Sequence, residues 1–92
     1  MQPRLHIPEV SRFYGIIVRL YYRDHPPAHF HAIYGEHEAL IDIESGRINR
    51  GCLPKTALEL VNQWRAIHLQ ELRDDWNRAR EQMPILPIRP LD

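Results

Sequence analysis

Ninety-two residues make one small domain, and a chain of this size buries only about 60–65% of its unfolded surface, so a second copy or a partner chain is an expected source of added stability. Twelve basic residues balance twelve acidic ones and 43% of positions are apolar, which excludes a disordered chain and a broadly basic nucleic-acid-coating surface. Cys52 is the single cysteine, no apolar run nears the roughly 20 residues of a membrane span, and the N-terminus lacks a signal-peptide core; the expectation is a cytoplasmic protein without membrane association.

Residues 1–10 read as an N-terminal extension, 11–83 as a single domain and 84–92 as a proline-rich extended tail. The first periodic stretch, Arg12 to Tyr22, is rich in β-branched and aromatic residues and reads as one strand. Its more uniformly apolar face, Tyr14, Ile16, Val18, Leu20 and Tyr22, is assigned to the core, with Gly15 as a bulge. Pro26 and Pro27 then hold a stiff, extended loop. His29 to Tyr34 and Glu38 to Glu44 read as a hairpin around Gly35-Glu36, because a glycine at the first central position suits a type II′ turn. That register sets His29 opposite Asp42, His31 opposite Leu40 and Phe30 opposite Ile41. Phe30, Ala32, Tyr34, Ala39, Ile41 and Ile43 then point inward and the histidines outward. A one-residue slip would bury the histidines instead.

Ser45-Gly46 marks a further turn, and Arg47 to Cys52 a short fourth strand. Pro54 reads as the first residue of a helix. Apolar positions then recur at helical spacing through Ala57, Val61, Trp64, His68, Leu72, Trp76, Ala79 and Met83. One helix over this span would be about 43 Å long, so a break near His68–Glu71 is expected, with Pro84 as the stop. The tail Pro84 to Asp92 alternates prolines with Ile and Leu and reads as an exposed contact strip. The fold class is α+β: a three- to four-stranded antiparallel sheet in ββββαα order, packed against one or two C-terminal helices.

Four of the six histidines fall between His25 and His37. Alternation puts Arg19, Tyr21, His29, His31 and Asp42 on one sheet face, with His25 near its rim. Three chemistries compete for that face. His29, His31, Asp42 and His25 are candidate ligands for zinc or another divalent metal, because two imidazoles in a His-x-His pair share one side of a strand. His29, His31, Arg19, Asp42 and Tyr21 are candidate catalytic residues for metal-free acid–base chemistry on RNA, with Asp42 orienting His29 and Arg19 stabilising a phosphorane-like charge. The plain alternative is an ordinary polar hairpin face, with no cofactor. His68 reads as a hydrogen-bonded core residue, Trp64 and Trp76 as core or interface anchors, and Cys52 as a buried, inert thiol.

Taken together, "SRFYGIIVRLYYRDHPPAHFHAIYGEHEALIDIESG", "LPKTALELVNQWRAIHLQELRDDW" and the terminal "PIRPLD" resemble the bacterial family catalogued as domain of unknown function 4160, from Ser11 nearly to the end. The resemblance implies one half of a two-gene cassette similar to a toxin–antitoxin pair. The cognate partner would be a small protein of the type catalogued as domain of unknown function 2442. It supplies no catalytic set; the positions its motif marks here are Tyr14, Arg19, Tyr21, His29, His31, Asp42 and Trp64. Three functions stand as expectations: a pair component acting on RNA, a non-enzymatic interaction module that binds a cognate small partner, and a metal-binding accessory domain; a homo-oligomer is a separate expectation about partners.

Overall fold

A computed structural model describes residues 8–92. Five strands, β1 (Glu9–Phe13), β2 (Ile16–Arg19), β3 (His29–Tyr34), β4 (His37–Asp42) and β5 (Ile48–Gly51), precede two helices, α1 (Lys55–Ile67) and α2 (Leu69–Arg80). The strands form one antiparallel meander in chain order. The α+β class and the two C-terminal helices are as expected. The added strand comes from the stretch Arg12 to Tyr22, which is a hairpin and not one strand.

Tyr14 and Gly15 cause that split. Their φ angles are 50° and 80°, and two consecutive positive φ values are what a two-residue type I′ turn requires. Phe13 pairs with Ile16 across the turn, so the apolar pattern runs on through the reversal and conceals it. Phe13 consequently enters the core, whereas Tyr14, expected inside, is 59% exposed. Of the expected N-terminal extension, Glu9 and Val10 belong to β1, and residues 1–7 lie outside the described residues.

The β3–β4 hairpin has the expected register. His29 pairs with Asp42, His31 with Leu40 and Tyr34 with His37, and Gly35 has φ 59° at the turn. Phe30, Ala32, Ala39, Ile41 and Ile43 are fully buried; Tyr34, at the turn, is partly exposed. Gly51 lets β5 close on β4, because a Cβ there would stand 2.0 Å from the Glu38 carbonyl oxygen.

The helices cover the inner sheet face through Trp64, whose ring lies 5.4 Å from Phe13 and 5.9 Å from Phe30. His68 departs from helical geometry (φ −111°, ψ 26°) and separates α1 from α2. Pro54 caps α1 instead of opening it. At the end of α2, Gln82 has φ 57°. Its N–H donates to Ala79 and that of Met83 to Arg78, the pair of bonds of a Schellman stop. Met83 therefore lies outside the helix and is exposed, as is Cys52. No helix among the described residues is long and apolar enough to cross a membrane.

The proline tail, expected as an exposed strip, is part of this fold. Ile88 is buried in the core. Its N–H donates to Val10 on the outer edge of β1, and Trp64 Nε1 donates to the Arg89 carbonyl. The Leu86 N–H donates to Asp75, a fully buried carboxylate that also pairs with Arg78. Burial pushes the Asp75 pKa up, against the opposing pull of the Leu86 N–H and Arg78.

Two outcomes follow. Ile88→Ala removes a core side chain and should lower unfolding free energy by about 2–5 kcal/mol in urea titrations; an unchanged midpoint would show that the tail is dispensable. For Asp75, the raised folded-state pKa penalises the ionised form, so its contribution worsens as pH rises above the ordinary carboxylate range. The stability difference between Asp75→Asn and wild type should therefore shift in favour of the variant from pH 4 to 7. A pH-independent difference would contradict that sign.

Candidate metal centre

Alternation along β3 turns His29 and His31 to the sheet face opposite Phe30 and Ala32. The connection from β2 to β3, residues 20–28, folds back over that face. Tyr21 meets the His31 ring edge-on at 4.5 Å, and Asp24 inserts its carboxylate between the two imidazoles. Asp24 Oδ2 lies 2.9 Å from His31 Nε2 and 3.1 Å from His29 Nε2. The histidines are thus outward-facing yet buried, at 7% and 9% exposure. The Pro26–Pro27 peptide in this loop is cis.

The far side of each ring is held as well. His29 Nδ1 lies 2.9 Å from the Pro27 carbonyl oxygen, which can only accept, so Nδ1 carries a proton; in the neutral ring that leaves the lone pair on Nε2. His31 Nδ1 lies 3.0 Å from Glu38 Oε2. His29 Nε2 is buried and makes no well-directed hydrogen bond, even to the nearby Asp24 oxygen. Ligand atoms of Asp24, His29 and His31 all lie within 4.8 Å of one another, so this cluster can coordinate a metal ion. Metal–ligand bonds of 2.0–2.1 Å in a tetrahedral site put donors about 3.3 Å apart, close to the spacing of the Asp24 oxygen from each Nε2.

Not every sequence-named residue joins the cluster. Asp42 pairs in register with His29, but its Oδ2 accepts the Ser45 N–H and caps the turn into β5. A short side chain beside a turn finds backbone donors first. His25 is exposed and stands apart, on the rim of a groove. Arg19 sits beside His31 in register, and its buried Nε lacks a partner. Asp24 and Glu38 were not singled out by sequence. Glu38 was discoverable, since it shares a face with Leu40 and lies diagonally from His31. Asp24 was not, because a loop carries no periodicity.

A groove of about 440 Å³ opens beside the cluster, with Asp24 and His29 in its wall and Leu40, Asn49 and Arg50 across from the proline loop.

The family described as Domain of unknown function (DUF4160) matches residues 15–77, more than half of the chain. The chain belongs to this family. The DUF4160 match contains Asp24, His29, His31 and Glu38, and it is shorter than the resemblance read from the sequence, which began at Ser11 and reached the tail. No curated protein and no solved structure matches the chain.

Proposed function

We propose that this DUF4160 protein is a divalent-metal-binding domain, with His29 Nε2, His31 Nε2 and the Asp24 carboxylate as ligands and zinc as the favoured ion. The observation that carries this reading is the tethering of both Nδ1 atoms, by the Pro27 carbonyl and by Glu38. Metal-binding histidines characteristically hold their second nitrogen this way, which fixes the tautomer and aims the lone pair. The buried, unpartnered His29 Nε2 supports it further. Two imidazoles and a carboxylate suit zinc, and three protein ligands leave a fourth position for water or substrate.

The burial of both histidines weighs against acid–base chemistry on an RNA backbone in direct contact with them. An ion reaches such a site more readily than a polynucleotide does. Any action on RNA would run through the metal, which when bound supplies a Lewis acid and an activated water. The chain's own residues hold the ligand tautomers and exclude bulk water: Tyr21 against His31, and Trp76 at 5.4 Å from His29.

Tag-free protein stripped with chelator should take up one zinc per chain by elemental analysis, and cobalt should quench tryptophan emission because Trp76 adjoins His29. His29→Ala and His31→Ala should abolish uptake. Glu38→Gln should weaken affinity by about 10–100-fold through loss of the His31 tether. Folded wild type that takes up no metal would overturn the proposal.

A cognate small protein remains the proposed partner, in the cassette that the family resemblance implies. With Ile88 of the tail buried in the core, the partner surface is proposed to be the exposed face of the C-terminal helices. Co-expression with the neighbouring gene should yield a co-purifying complex and change the growth phenotype; independent purification of the two proteins would reject the pairing.

A further inference from the structure

We infer that the groove beside the metal centre is a binding site for a phosphate ester of about nucleotide size. This rests on the metal reading above. Asp24 and His29 contribute to both the cluster and the groove wall, so an ion on that cluster borders the groove. The register then adds cationic side chains in one row across the sheet. Arg19 pairs with His31, His31 with Leu40 and Leu40 with Arg50. Arg50 therefore stands two strands from His31 on the same face, on the groove's far wall. It is exposed and forms no salt bridge among the described residues.

A phosphoryl group suits this arrangement because it can bridge two positive centres. With a metal held by Asp24, His29 and His31, a phosphoryl oxygen would find a cation at the groove wall, and Arg50 would offer its planar guanidinium fork to the others. His25 on the rim adds a further donor. The rest of the wall is apolar, through Pro27 and Leu40, with the Asn49 amide beside it. That combination matches a ligand with an anionic head and a partly apolar body. The volume of about 440 Å³ lies within the range of small-molecule sites and is larger than inorganic phosphate needs. The same chemistry is offered by a free nucleotide and by a short RNA segment.

The test uses full-length, zinc-loaded protein in calorimetric titrations with inorganic phosphate, adenosine 5′-monophosphate and a ribodinucleotide with an internal phosphodiester. At least one ester should bind more tightly than inorganic phosphate. A preference for the monophosphate assigns the site to free nucleotides, and a preference for the dinucleotide assigns it to RNA. Arg50→Ala should take up zinc and weaken the ester roughly tenfold or more, as loss of a charge-assisted hydrogen bond does. Arg50→Lys should recover part of that loss. Zinc uptake without ester binding, or ester binding indifferent to Arg50→Ala, overturns this inference and leaves the metal reading standing. No zinc uptake by the wild-type chain overturns both.

Discussion

The pairing of β3 with β4 decides what is core and what is site. In the observed register Phe30, Ala32, Ala39 and Ile41 face Trp64 and its neighbours, while His29, His31 and Glu38 share the opposite face. A slip of one residue would exchange the two sets. Imidazoles would then be driven against Trp64, and Phe30 would stand in water. The core and the candidate metal centre are therefore one decision, made by the alternation of six residues in β3. Gly51 secures it from the other side by admitting β5 to within contact of the Glu38 backbone, with the Cys52 N–H donating to the Glu38 carbonyl.

The burial of two histidines on the outer face has a cost that their surroundings only partly offset. An unsatisfied buried polar atom costs about 1–3 kcal/mol. Three of the four ring nitrogens have good partners, in Pro27, Glu38 and Asp24. The fourth, His29 Nε2, faces the same carboxylate oxygen that His31 already uses. As placed here, that oxygen makes a well-directed hydrogen bond to only one of the two rings. A cation between them would accept both lone pairs and the carboxylate charge together, so the arrangement that leaves this hydrogen bond imperfect is also one that can hold a metal ion. A surface hairpin of merely polar residues would leave its histidines hydrated and would not bring a loop carboxylate down upon them.

The remaining surface problem of so small a domain is met by its own tail. An open β1 edge would present unpaired backbone groups. The tail caps it through the Ile88–Val10 bond, and Ile88 fills the core beside Trp64. Asp75 anchors the start of that segment at the Leu86 N–H. Of the apolar residues that lie next to prolines there, Ile88 is buried and Ile85 and Leu91 pack partly against the core, while Leu86 stays exposed. The other edge, β5, keeps a short exposed strand bearing Arg50, and this is the edge that borders the groove.

Periodicity explains which of these features were legible. The β3–β4 register follows from strict alternation, and the helix break at His68 from the length of an uninterrupted apolar stripe. The Tyr14-Gly15 turn escapes the same logic. Phe13 and Ile16 pair directly across it, so both sides of the reversal remain apolar, and tyrosine lacks the Asn or Asp signature of a type I′ turn. Asp42 shows the opposite failure: its pairing with His29 was legible, but pairing fixes the Cα position and not where a short carboxylate finds its donor. The Ser45 N–H, three residues on, is closer than any imidazole. Asp24 had no pattern to betray it. It belongs to a loop, and its place is set by how residues 20–28 fold back over β3. Asp24, the third member of the cluster, is thus the one residue whose position depends on tertiary closure alone, which makes the geometry of that loop, and not the count of histidines, the basis for proposing a metal centre.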